Sequence, residues 1–243
     1  MRKFCYEAGL LNPLPSDLED KARQIARMDA LLCKRNRLWK DNRIERGRRA
    51  WSELYGNDYC RAWEHLPKAA AEPFTEQTFI ALHALLMPHV PLGYKKNDNL
   101  ILKRENGIVN GIFFIPPGAE ETPQAMTALT DAYRQWEQSG GLPALATLGC
   151  FLLDFLCIHP FSDGNGRTTR LLLVLLLLRM GFSGAVFLDA ESYLHIPCHR
   201  VAMVKAQRSS MQGWYEGQND YRPIAEFWLE TVLELYREAA EDF

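Results

Sequence analysis

Most of the chain repeats its hydrophobic positions with the spacing of an α-helix. The pattern predicts helices over residues 17–40, opened by Ser16 as an N-cap, over 44–65, ending ahead of Pro67, and over 75–87, stopped by Pro88. Residues 90–118 interrupt it. Prolines, glycines and asparagines there punctuate two short β-prone runs, LILK and GIFFI. They predict one β-hairpin near residues 99–115, looped around ENGIVN, in a chain otherwise without strands. Helical spacing returns at Thr122 and breaks at SGGLP, residues 139–143. Residues 144–158 (ALATLGCFLLDFLCI) and the stretch from Gly166 to Gly181 are apolar on nearly every side. Such helices sit inside a bundle, not on its surface. Two further helices are expected over 192–211 and 223–240. The expected fold is all-α, a bundle with two central buried helices around one loop and a short β-hairpin.

Composition adds bounds. The chain has 243 residues, 47% of them hydrophobic, enough for one generous domain with a sizeable core. A formal net charge of -2 gives no case for nucleic-acid or membrane binding by the whole molecule. Base is concentrated from Lys21 to Arg49, and acid from Glu226 to Asp242. Both read as solvated helix faces, with a basic face meeting an acidic partner as the sharper alternative. Six cysteines without a CxxC pair suit reduced thiols in a cytoplasmic protein. The first residues carry charge without a following apolar stretch, so no secretory signal is expected there. The longest apolar run, LLLVLLLL, is too short for a bilayer, which takes about 20 residues. His195 and His199 stand four apart, but no third ligand accompanies them, so they read as surface or core histidines.

The chemistry concentrates between the two buried helices, in HPFSDGNGRTTR, residues 159–170. Gly164, Asn165 and Gly166 precede a helix whose first N–H groups lack partners and whose dipole favours negative charge. Arg167 and Arg170 lie three apart on that helix, so both guanidinium forks reach one face suited to phosphate oxygens. Asp163 would repel such a ligand unless a cation intervenes, which points to Mg²⁺ shared with the phosphates. His159 ends the preceding helix and can accept a proton, although a helix C-terminus favours its charged form. Neither GxxxxGK[ST] nor HExxH occurs.

HPFSDGNGRTTR is similar to the Fic-family signature HPFx[D/E]GNGRxxR, and the hairpin ending IFFIPP and residues 213–233 also resemble that family. The resemblance covers residues from about 73 to the end, with a core domain over 69–243 and a regulatory N-terminal segment over 1–68. It implies a Mg²⁺-dependent protein adenylyltransferase that moves AMP from ATP to a Tyr, Ser or Thr hydroxyl of a target protein. His159 would deprotonate the hydroxyl, and Asp163 would hold the metal against the α- and β-phosphates. Gly164, Asn165 and Gly166 would cradle phosphates, while Arg167 and Arg170 would serve the β- and γ-phosphate regions. Phe161 would anchor the loop in the core. The hairpin edge at Asn110, Gly111, Ile112 and Phe113 would dock the target as an added strand. DNRIERG, residues 41–47, resembles the family's inhibitory motif [S/T]xxxE[G/N] with Asp41 for Ser/Thr and Arg46 for Gly, so that Glu45 would restrain Arg170. The alternatives are transfer of phosphate, UMP or phosphocholine, removal of AMP, and a nucleic-acid-binding regulator that uses the basic N-terminal segment. A homo-oligomer is compatible with each.

Overall fold

The protein is described by a computed structural model over residues 15–105, 108–139 and 141–241. Cys5, Asp242 and the Asn106–Gly107 tip of the expected hairpin lie outside the described residues. Helix α1 (Ser16–Cys33) buries Leu18, Ala22, Ile25, Asp29 and Leu32, one face at alternating steps of four and three. Ser16 is its first residue, and Pro15 occupies the cap. The expected helix over 17–40 breaks after Cys33, because the Asn36 side chain accepts the Trp39 N–H at 2.9 Å and starts α2 (Arg37–Tyr55). Gly56, at φ 70°, ends α2 in a conformation that favours glycine. The expected 44–65 helix is thereby split, and α3 (Asn57–Glu64) follows. Pro67 opens α4 (Leu66–Ala71), its missing N–H costing nothing in a first turn.

Helix α5 (Glu76–Leu86) starts with a Thr75–Thr78 capping box. The expected hairpin is present as antiparallel β1 (Ile101–Glu105) and β2 (Ile108–Phe114), with Lys103 opposite Gly111. Then come α6 (Thr122–Ser139), α7 (Gly141–Ile158) and α8 (Asn165–Arg179), followed by a 3-10 turn over Ser183–Phe187. Pro197 divides the expected 192–211 helix into α9 (Ala190–His195) and α10 (Pro197–Met211). Helix α11 (Arg222–Glu241) completes the chain.

α7 and α8 form the centre of the bundle. From Ala144 to Ile158, and from Leu171 to Leu177, the side chains are buried. α7 packs against α1, α6, α8 and α11. Gly149 permits the α7–α11 approach, since a Cβ there would lie 2.8 Å from the Ile224 carbonyl oxygen. Asp154, fully buried in α7, accepts hydrogen bonds from Trp214 Nε1 at 2.6 Å and Tyr221 Oη at 2.7 Å, tying down the segment before α11. Residues of α1, α2 and α3 belong to the same hydrophobic cluster as α7 and α8. The N-terminal helices thus pack on the core that follows residue 68.

Candidate active site

The chain leaves α7 through His159, whose φ of 49° is left-handed, a costly conformation for a non-glycine residue. Its Nδ1 lies 3.2 Å from the Leu156 carbonyl oxygen. A carbonyl can only accept, so Nδ1 carries the proton and Nε2 keeps its lone pair. Burial pushes the imidazole pKa down to about 4; the Lys95 charge adds to this, while the Leu156 contact and Asp163 oppose it. Burial thus outweighs the helix terminus, and His159 is neutral at pH 7.

The loop after His159 folds onto its own backbone. Asn165, 2% exposed, accepts the Phe161 N–H at 2.9 Å and donates to the Phe161 carbonyl at 2.8 Å. This corrects the expectation for its side chain: the amide closes the loop and is not presented to a ligand. Phe161 is the anchor that was expected, fully buried with its ring stacked 3.8 Å from that of His83. His83 Nε2 in turn donates to the Asp163 carbonyl at 2.9 Å. Gly164 has φ +80°, and a Cβ there would meet Met87 Cγ at 2.7 Å, so both backbone and space require glycine. The first intrahelical bond runs from Thr168 N–H to the Gly164 carbonyl at 2.9 Å. Helix geometry leaves the N–H groups of Asn165, Gly166 and Arg167 without acceptors inside α8, at its positive end.

Asp163 lies at this end, exposed. Its Oδ1 accepts the Gly164 N–H at 2.6 Å, and its Oδ2 is 3.5 Å from Arg167. The Arg167 guanidinium lies over the Tyr55 ring, 5.3 Å from its centroid. Arg170 donates through Nε and Nη2 to both carboxylate oxygens of Glu191, at 2.5 and 2.6 Å. Glu191 is fully buried and also accepts from Tyr55 Oη at 2.7 Å, which lies 2.9 Å from His195 Nε2. Burial works against the Arg170 charge, but pairing with Glu191 outweighs it and holds the guanidinium above its ordinary pKa. The third nitrogen, Nη1, lies 3.4 Å from where a Cβ on Gly166 would stand, beside the open end of α8.

Glu45 takes no part. It pairs with Arg49 at 3.3 Å on an exposed face of α2, and the carboxylate on Arg170 is Glu191. The resemblance of DNRIERG to an inhibitory motif does not bring Glu45 to Arg170, because α2 turns that face to solvent. Along the hairpin, Asn110, Gly111 and Ile112 are exposed and Phe113 is half-buried. The base is fixed by Tyr215, which donates to the Ile115 carbonyl at 2.7 Å and stacks on Phe114. Tyr55, His83 and Glu191 were missed by the sequence reading. No local pattern marks them, since tertiary packing alone brings the end of α2, α5 and α9 to the loop.

Residues 73–177 match the Fic/DOC family, a stretch that contains the whole loop but neither Tyr55 nor Glu191. Over 200 residues the chain is 28% identical to "Protein adenylyltransferase Fic" of Drosophila erecta, covering 79% of this chain and 35% of that protein. The Drosophila melanogaster protein of the same name is also 28% identical, with the same coverage. The chain spans about a third of the length of these curated relatives. The fold resembles a Fic family protein from Desulfovibrio desulfuricans G20, with a TM-score of 0.65 and 22% identity over 92% of this chain and 74% of that one. It also resembles a Fic domain containing signaling protein from Bacteroides thetaiotaomicron VPI-5482, with a TM-score of 0.68 and 20% identity over 90% of this chain and 95% of that one. Loop motif, helical architecture and sequence match converge on one stretch: residues 73–177 of this chain match the Fic/DOC family.

Proposed function

We propose that this protein transfers AMP from ATP to a Tyr, Ser or Thr hydroxyl of a target protein. The observation that carries this reading is His159, neutral and with Nε2 able to accept a proton, on the loop that opens the positive end of α8. The names of the curated relatives support the same class of reaction. The hydroxyl oxygen would attack the α-phosphorus while its proton passes to Nε2. The bond from the α-phosphorus to the bridging oxygen breaks, and pyrophosphate leaves with that oxygen. The open N–H groups of α8 and the guanidinium of Arg167 would hold phosphate oxygens as their charge grows.

Among the described residues, no group of three or more His, Cys, Asp or Glu could hold a metal alone. One exposed carboxylate beside an anion site nevertheless fits Mg²⁺, which takes one or two protein carboxylates and completes its shell with phosphate and water. Asp163 would hold the ion, which would supply charge neutralisation at the phosphates. Asn110 to Phe113 would offer the hairpin edge to the target backbone. Glu191 takes over the restraint assigned from sequence to Glu45. It occupies two of the nitrogens with which Arg170 would meet the γ-phosphate, so the nucleotide competes with a buried ion pair.

The test is incubation with ATP and Mg²⁺ followed by intact mass, beside His159→Ala. A gain of one AMP unit that disappears in His159→Ala is expected. A gain that survives the substitution overturns the role of His159.

A further inference from the structure

Four consecutive carbonyls lead into and through the loop, those of Ile158, His159, Pro160 and Phe161, and each accepts a hydrogen bond from one short segment. The Lys95 ammonium donates to Ile158 at 3.2 Å, and the Lys95 backbone N–H donates to Pro160 at 2.8 Å. Asn99 Nδ2 donates to His159 at 3.1 Å and to Phe161 at 2.9 Å. The two side chains are joined, since Lys95 Nζ also donates to Asn99 Oδ1 at 2.8 Å. Lys95 is 5% exposed, an expensive place for an ammonium unless something there needs it. What it meets is the C-terminal end of α7, where carbonyls lack intrahelical partners and the dipole favours a cation.

The same four-residue stretch contains the left-handed His159, a conformation that persists only when its surroundings over-determine it. Phe161 and Asn165 fix the loop downstream, but neither holds the carbonyls of Ile158, His159 or Pro160. We propose that Lys95 and Asn99 are positioning residues for His159: by gripping the carbonyls on either side of it, they hold its backbone in the left-handed turn and so aim its Nε2. As an aiming device for a transferred proton, this rests on the adenylyl-transfer reading. The grip itself does not.

The test uses the full chain with Asn99→Asp, which keeps the shape and the acceptor for Lys95 but removes both donors to the loop. Lys95→Met removes the ammonium, and Lys95→Arg retains a cationic donor. Two readouts are taken. Histidine-labelled NMR reports the His159 ring and its tautomer whether or not the protein turns over. Steady-state transfer separates kcat from the KM for ATP. The expected result is a displaced His159 signal in Asn99→Asp and Lys95→Met, with kcat down roughly 10- to 100-fold, the cost of a misplaced reacting group, and little change in KM. Lys95→Arg should recover part of both. Superimposable His159 signals in folded Asn99→Asp and Lys95→Met overturn the proposal. So does global unfolding of both variants, since the contacts would then serve the fold and not the loop. If the unsubstituted protein transfers no AMP, the functional reading fails, while the His159 signals still decide the grip.

Discussion

His159 sits where three demands meet: a helix end, a left-handed turn and a half-buried ring whose Nδ1 is engaged by Leu156. With its pKa near 4, its protonation falls well below the usual histidine range. The rate of transfer should therefore stay flat from neutral pH down through 6, and fall only as the pH approaches about 4; a pH–rate profile under saturating ATP checks this. The same shift acts on stability. An unfolded histidine titrates near 6.5, so between that value and about 4 the unfolded chain binds the extra proton and the folded chain does not. Burial lowers His83 in the same direction. Stability at these two sites is complete above the unfolded value and is lost as the pH falls below it, which denaturant melts at pH 7 and pH 5 would show. Arg170 and Glu191 give a second prediction. Glu191→Gln leaves a buried guanidinium uncompensated, at a cost of about 3 kcal/mol. Triphosphate can then replace the lost charge, so ATP should raise the Tm of the variant more than that of the parent. At this scale the sequence made the loop legible, because its residues are adjacent. Glu191 was not legible, since it reaches Arg170 from 21 positions away through the packing of α9.

Among the elements, α7 and α8 are continuous and apolar all round, and their placement at the centre follows from that alone. The turn between them depends on Gly164. Alanine there meets a left-handed backbone and Met87 at once, so Gly164→Ala should cost about 1–3 kcal/mol, measured as a loss of Tm, and should weaken ATP binding. The hairpin makes a different demand. Ile112 is 55% exposed and contributes nothing to the core, so Ile112→Asp should leave Tm and ATP affinity unchanged while reducing modification of a target protein. The periodicity foresaw most of these elements but not where the helices divide. Asn36, Gly56 and Pro197 each cut a continuous helical pattern through cap or backbone geometry, which a hydrophobic repeat does not register. Pro67 shows the converse, a proline that starts a helix where a stop was expected.

For the whole molecule, the uneven charge resolves into pairs. Lys21 meets Glu230 at 2.6 Å, joining the basic stretch near one end to the acidic stretch near the other. Arg48 pairs with Glu64 and Arg49 with Glu45, while Arg35 and Arg43 donate to the carbonyls of Ala240 and Phe187. Part of the basic N-terminal segment is thus engaged with its own chain. Helix α1 closes over α7 and α11, and Leu18, Ala22, Ile25 and Leu32 are fully buried there. A chain shortened to residues 69–243 should lose its cooperative thermal transition, as followed by circular dichroism, because the central helices would face water on that side. The sequence marked residues 1–68 as an N-terminal segment ahead of the core, and the apolar partner of α1, far away on α11, is not visible along a chain.

The central claim is adenylyl transfer with His159 as the base, and it is tested most directly by ATP labelled at one phosphate or another. Incubated with a target protein or with itself, the protein should fix label from the α-phosphate and none from the γ-phosphate, and His159→Ala should fix neither. Label from the γ-phosphate would make it a phosphotransferase, and α-label fixed equally by His159→Ala would remove the base from the mechanism.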